Sequence, residues 1–206
     1  MKKLTAALFI ALVMTTAVVS YSDTVHGDLE NNLIRLHIIA DSDDADAQNV
    51  KLMVRDAVIS EVGEKLKSAD INESRVDIIN NLGEIERIAD RTLCENGFTY
   101  TSHAEYGKFF FPRKQYDGIT LPEGEYYGVR VVLGSGEGKN WWCVVYPPMC
   151  FTESSGGKLS EESDERLRTE LNTDSYDIIT GTGEGVEIRF GVVELVQKAK
   201  RLILGN

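Results

Sequence analysis

The sequence predicts a single α/β or α+β domain built on one mixed sheet, and three observations carry that prediction. Leu33-Ile-Arg-Leu-His-Ile-Ile39 is a mostly apolar, β-branched run with the pattern of a central strand covered on both faces. Two long stretches of helical periodicity follow it. Beyond them, aromatic and β-branched segments are divided by glycine and proline turns, which reads as further strands.

The chain opens on a basic head, Met1-Lys2-Lys3, and an uncharged run of 16 residues from Leu4 to Val19. That is the layout of an export signal, and it is short for a spanning helix of about 20 residues. Residues 1–22 are therefore read as a signal peptide, with an uncleaved anchor as the alternative. The polar stretch 23–32 is read as a spacer. Taking away the signal's two lysines and no acid lowers the net charge from −11 to −13. An acidic surface of that kind argues against nucleic acid and anionic lipid as partners.

On the first strand, Arg35 and His37 share a face because side chains alternate. The acidic run Ala40-Asp-Ser-Asp-Asp-Ala-Asp46 follows, and Val50, Met53, Val54, Ala57, Val58, Val62 and Leu66 recur at helical spacing after it. The acids then sit where carboxylates cap a helix N-terminus. A calcium loop counted from Asp41 would need Gly at its sixth place and Glu at its twelfth, where Asp46 and Leu52 stand. A second helix is expected from about Glu73 to Glu95, with Val76, Ile79, Leu82, Ile85, Ile88, Ala89 and Leu93 inward and Asn96-Gly97 as its stop.

Phe98 to Phe111 reads as an aromatic strand, and residues 112–118 and 121–125 as loop and turn. Tyr126 to Gly134 and Asn140 to Tyr146 are the next two strands. The glycines between them predict an antiparallel hairpin near 126–146. The run Gly134-Ser-Gly-Glu-Gly-Lys139 superficially suggests a phosphate loop, but Asn140 and a strand follow the lysine where Ser or Thr and a helix are needed. Residues 33–151 form the globular domain in this reading. Residues 152–206 are a linker and helical segment: a Ser/Gly-rich stretch, a charged helix near 160–171, a polar run to Gly185, and a last helix with Ile188, Val192, Leu195, Val196, Ala199 and Ile203 inward.

The candidates for chemistry are few. Cys143 and Cys150 stand seven residues apart across Pro147-Pro148, and in an exported protein this favours a disulfide that leaves Cys94 over. The alternative is an exported hydrolase using Cys143 as nucleophile with His26, His37 or His103 as base. No Cys/His spacing suits zinc, and no cofactor motif is present. Trp141 and Trp142 are adjacent, so on a strand they face opposite sides, and one is free to anchor a protein partner. For Arg35 and Arg130 the structural reading is an ion pair with an acid such as Asp56.

Five ordered blocks carry a resemblance: Leu33–Asp43, Lys51–Val58, Phe111-Pro-Arg-Lys-Gln-Tyr116, Leu121-Pro-Glu-Gly-Glu-Tyr126, and Gly136–Cys150 with its Asn-Trp-Trp-Cys. Together they resemble the stage II sporulation protein R family over roughly Leu33 to Phe151. Mild departures stand at Asp41, Asp117, Tyr146 and Met149. The resemblance implies an exported signalling protein of endospore formation, sent across the forespore membrane into the septal intermembrane space. There it would activate a membrane-bound aspartic-type protease of the mother cell that processes a pro-sigma factor. It implies neither an enzyme nor a small-molecule substrate. Arg35, His37, Asp41, Ser42, Asp43, Arg130, Trp141 and Trp142 are the candidates for the partner contact.

Overall fold

The computed structural model describes residues 2–63, 70–116, 118–149 and 159–204. Among these, six helices and six strands follow in the order α1 (Lys2–Asn32), β1 (Ile34–Ile39), α2 (Ala45–Val62), α3 (Ile71–Glu95), β2 (Ser102–Phe111), β3 (Lys114–Tyr116), β4 (Ile119–Leu121), β5 (Gly124–Leu133), β6 (Asn140–Tyr146), α4 (Glu161–Glu170), α5 (Thr173–Thr180) and α6 (Val186–Leu204). The expected mixed sheet, the two long helices after the first strand and the helical C-terminal part are all present. The linker expected at 152–158 lies outside the described residues, as do Cys150 and Asp117.

The main sheet runs β2-β5-β1-β6, with β5 parallel to β1 and both β2–β5 and β1–β6 antiparallel. This corrects the expected hairpin at 126–146. Strands β5 and β6 do run in opposite directions, but β1 is inserted between them. The glycine run therefore has to cross the end of β1 rather than close a tight turn. It does so on hydrogen bonds from Glu137 N to Asp41 O (3.1 Å) and from Gly138 N to Ala40 O (2.9 Å). The passage is so close that a Cβ on Gly138 would stand 2.2 Å from the Ser42 carbonyl oxygen.

One face of the sheet, carrying Leu36, Ile38, Val129, Val131 and Leu133, is covered by α2 through Val50, Val54 and Val58 and by α3 through Ile78, Ile85, Ile88 and Leu93. Asp44 caps α2, its side chain accepting from Ala47 N at 3.0 Å. Asp70 caps α3 by accepting from Asn72 N and Glu73 N. Gly97, at φ +83°, ends α3 as expected. Of the residues expected inward, Val50, Val54, Val58, Val62, Ile85, Ile88, Ala89 and Leu93 are buried, whereas Met53, Val76 and Ile79 are exposed and Ile78 takes the inward place at the start of α3.

The second face meets α1, the small antiparallel sheet β3–β4 and the C-terminal helices. Residues 23–32 are not a spacer. They continue α1, and Ser22, Val25, His26 and Leu29 are buried at helical spacing against the domain. Val25 and Leu29 join Phe111, Leu121, Tyr126, Val144, Ile178, Ile179, Phe190 and Val193 in a second core. Short polar segments hid two more elements. The β3–β4 pair lies where a loop was expected, and α5 is capped by Asn172 and ended by Gly181 within the polar run.

Candidate functional site

The register of β1 builds the site. Arg35 stands opposite Gly128 of β5, and His37 stands between Arg130 of β5 and Trp142 of β6. Both side chains project to the second face, as alternation requires.

Arg35 is fully buried. Its guanidinium carbon lies 4.3 Å from the Phe111 ring centroid and 4.9 Å from that of Tyr126. Nη2 donates to Tyr116 Oη at 3.2 Å, while Nε and Nη1 are buried without a hydrogen-bond partner. The absent side chain of Gly128 makes room, because a Cβ there would lie 2.6 Å from Arg35 O and 3.1 Å from Phe111 Cζ. The expected ion pair with Asp56 does not form. Asp56 pairs with its α2 neighbour Arg55, and aromatic rings hold Arg35 instead. Arg130 does have an acid, Glu105, with Nε 2.7 Å from Oε1, and it lies over Phe109 at 4.4 Å.

His37 stacks on Trp142 at 4.8 Å between centroids, with the rings 13° apart, and touches Phe109 and Phe111 at 5.6 and 5.1 Å. Its Nδ1 is 3.2 Å from Asn140 Oδ1, so that nitrogen carries the proton, and Nε2 is buried without a partner. Desolvation by burial is the main cause that lowers its pKa to about 4. The imidazole is therefore neutral at pH 7. Around this floor, Trp142, Phe109, Arg130 and Asn140 are half-buried, and Lys114 Nζ lies 5.8 Å from the Trp142 ring centroid. The result is a half-buried aromatic patch edged by Lys114 and by the Arg130–Glu105 ion pair.

Trp141 points to the other face, into the α2–α3 core, with the Arg55 guanidinium 5.2 Å from its ring centroid. The two tryptophans thus divide as the sequence requires, and Trp142 is the one at the patch.

Asp41, Ser42 and Asp43 lie apart from it, at the C-terminal end of β1, where they hold the glycine crossover. Asp41 Oδ1 accepts from Ser135 N at 2.6 Å, and Asp43 Oδ1 accepts from Lys139 N at 2.8 Å. Ser42 donates to Asp44 through Oγ and accepts from Gln48 Nε2 through its carbonyl. Buried Lys51 completes the joint, Nζ donating to Lys139 O at 3.0 Å and to Gln48 Oε1 at 2.6 Å. Desolvation lowers the Lys51 pKa. Sequence reasoning missed Lys51 and Asn140. The one available signal for Lys51 is a lysine set within the apolar stripe Ala47-Val50-Val54-Val58.

The histidines are badly placed to serve Cys143 as a base. By alternation Cys143 faces the α2–α3 side while His37 faces the other. His103 is on the opposite edge strand and bonded to Glu86, and His26 is on α1 over the second face. Cys94 is free and exposed; Cys143 is buried, and the expected bridge to Cys150 falls outside the described residues. Among the described residues no group of three or more His, Cys, Asp or Glu side chains is placed to hold a metal ion. Among the described residues one helix, α1, is long and apolar enough to cross a membrane, with residues 2–18 exposed.

Residues 30–156 match the sequence profile of the family described as stage II sporulation protein R. The Stage II sporulation protein R of Bacillus subtilis (strain 168) is 32% identical over 182 residues, covering 82% of this chain and 81% of that one. No solved structure gives a match.

Proposed function

The chain belongs to the stage II sporulation protein R family, and from that premise we propose that it is an exported sporulation signal which activates a membrane-bound protease. In this reading it crosses the forespore membrane into the septal intermembrane space. There its folded domain binds an aspartic-type protease of the mother cell and promotes removal of the pro-sequence of a sigma factor. The observation that carries the reading is α1, whose exposed apolar half precedes a half docked on the domain, so that the globular part is delivered at a membrane surface. An activator of this kind acts by binding the active form of its target more tightly than the inactive form.

The contact we assign is the patch over β1 and β6, with Trp142 and Arg130 at its rim and Arg35 and His37 as the buried floor that fixes the rings. Arg35 acts through the aromatic rings it positions, and Asp41, Ser42 and Asp43 act through the loop they hold. The test is co-purification of the exported protein with the protease, with processing of the sigma-factor precursor as the second readout. Wild-type protein should pull down the protease and support processing, and Trp142→Ala should lose both while remaining folded. Full processing by folded, exported Trp142→Ala overturns the assignment of the surface. Processing without any physical association overturns the binding mechanism.

A further inference from the structure

The last helix carries an apolar stripe on the side opposite to its core contacts. Val186, Phe190, Val193 and Val196 are buried, whereas Ile188, Leu195 and Leu202, spaced by seven, are 75%, 68% and 79% exposed, and Ile203 lies beside them. The sequence reading placed Ile188, Leu195 and Ile203 inward, but the domain takes the other face. Seven-residue spacing keeps the stripe on one side of the helix over about 21 Å.

What covers it follows from where α6 sits. It is clamped to α1 at the point where α1 leaves the domain. Ser22 Oγ donates to Val193 O (3.4 Å), Gln197 Nε2 donates to Ser22 Oγ (3.3 Å), and Lys200 forms an ion pair with Asp23. The apolar run of α1 ends at Val19, three residues before Ser22, about 4.5 Å along the helix. A bilayer that takes up that run brings its headgroups within about one helix diameter, 10–12 Å, of α6. After Glu194 the described part of α6 carries Lys198, Lys200 and Arg201 and no acid, in a chain of net charge −11. Lys200 is held by Asp23 and Arg201 lies over Phe110, so the outward face presents the apolar stripe with Lys198 at its edge, the amphipathic pattern of a helix that lies in a membrane interface.

We propose that α6 is an interfacial helix, its Ile188–Leu195–Leu202 stripe resting in the lipid interface next to the exit of α1, held there by apolar burial. This holds the domain in one orientation on the bilayer. The inference rests on α1 entering the membrane, and the experiment separates the two. The wild-type full chain is reconstituted into vesicles of phosphatidylethanolamine and phosphatidylglycerol carrying a phospholipid with a photoactivatable carbene precursor high on its acyl chain. Adducts are then mapped by mass spectrometry.

Adducts are expected on residues 4–19 and on Ile188, Leu195 and Leu202, at a depth of about 5–10 Å for an interfacial helix. The exposed Val76 and Ile79 of α3 should stay unmodified. In Leu195→Glu with Leu202→Glu, both exposed changes that leave the core intact, the Ile188 adduct should fall several-fold with α1 labelling unchanged. Labelling of α1 without α6 overturns the proposal and leaves the membrane reading of α1 standing. Failure to label α1 sinks both. Equal labelling of α3 and α6, or an α6–α6 cross-link between two copies in its place, also overturns it.

Discussion

Trp142 covers His37: the two rings are 4.8 Å apart and nearly parallel, and the register of β6 against β1 sets them side by side. Removing the indole exposes one face of a neutral imidazole and loses contact with Phe111 as well. Trp142→Ala should lower unfolding free energy by about 2 kcal/mol, below the 3–5 of a fully buried aromatic because the ring is half-exposed. Urea unfolding measures this. Trp142→Phe should restore most of the stability and of precursor processing, and Trp141→Ala should cost stability while leaving processing intact in whatever fraction folds.

The same burial makes stability depend on pH. His37 titrates near 4 in the folded chain against an ordinary 6.5, so between these values the unfolded chain binds the extra proton. Stability is fully present above about pH 6.5 and is lost as pH falls towards 4, by about 3 kcal/mol from this group. His26, also lowered by burial, adds to the slope in the same direction. His37→Phe should flatten the dependence of the urea midpoint between pH 4 and 6.5. An unchanged slope in that variant would show that His37 is not the group responsible.

Arg35 has two buried nitrogens without partners, and each such group costs about 1–3 kcal/mol. Replacing it by an apolar side chain of similar length removes that cost while keeping contact with Phe111 and Tyr126. Arg35→Met is expected to match or exceed wild-type stability, and Arg35→Ala to lose at least 2 kcal/mol or so through the cavity it leaves. Thermal melts of the two variants side by side decide the point.

Gly138 is required by the crossover and not by its dihedral angles, because its neighbour is the Ser42 backbone carbonyl and cannot rotate away. Gly138→Ala should destabilise by about 1–3 kcal/mol. Ser135→Ala, which removes only the 2.8 Å hydrogen bond from Oγ to Asp41 O, should cost about 1 kcal/mol. A differential scanning calorimetry comparison tests the ranking.

For the cysteines, the expected bridge predicts that exported, unreduced protein alkylates at Cys94 alone, and at all three cysteines after reduction and denaturation. A short loop of this kind contributes somewhat under about 3 kcal/mol. Alkylation of Cys143 without reductant, read by peptide mass, would rule the bridge out.

By itself the sequence determined what is local. The caps at Asp44 and Asp70, the stop at Gly97, the alternation that separates Trp141 from Trp142, and the ordered blocks of the family follow from neighbours within a few residues. Tertiary structure alone decided what each surface meets. Periodicity marks an apolar stripe but not which element covers it. Hence polar residues 23–32 became a docked helix, α6 turned the stripe with Ile188 and Leu195 outward, and a hairpin gave way to β1 lying between β5 and β6. Strand pairing joins residues about a hundred positions apart, as His37 and Trp142 are. No local propensity fixes such a choice. It is made by the close passage that Gly138 permits over Ser42, and by the aromatic rings that gather around the buried guanidinium of Arg35.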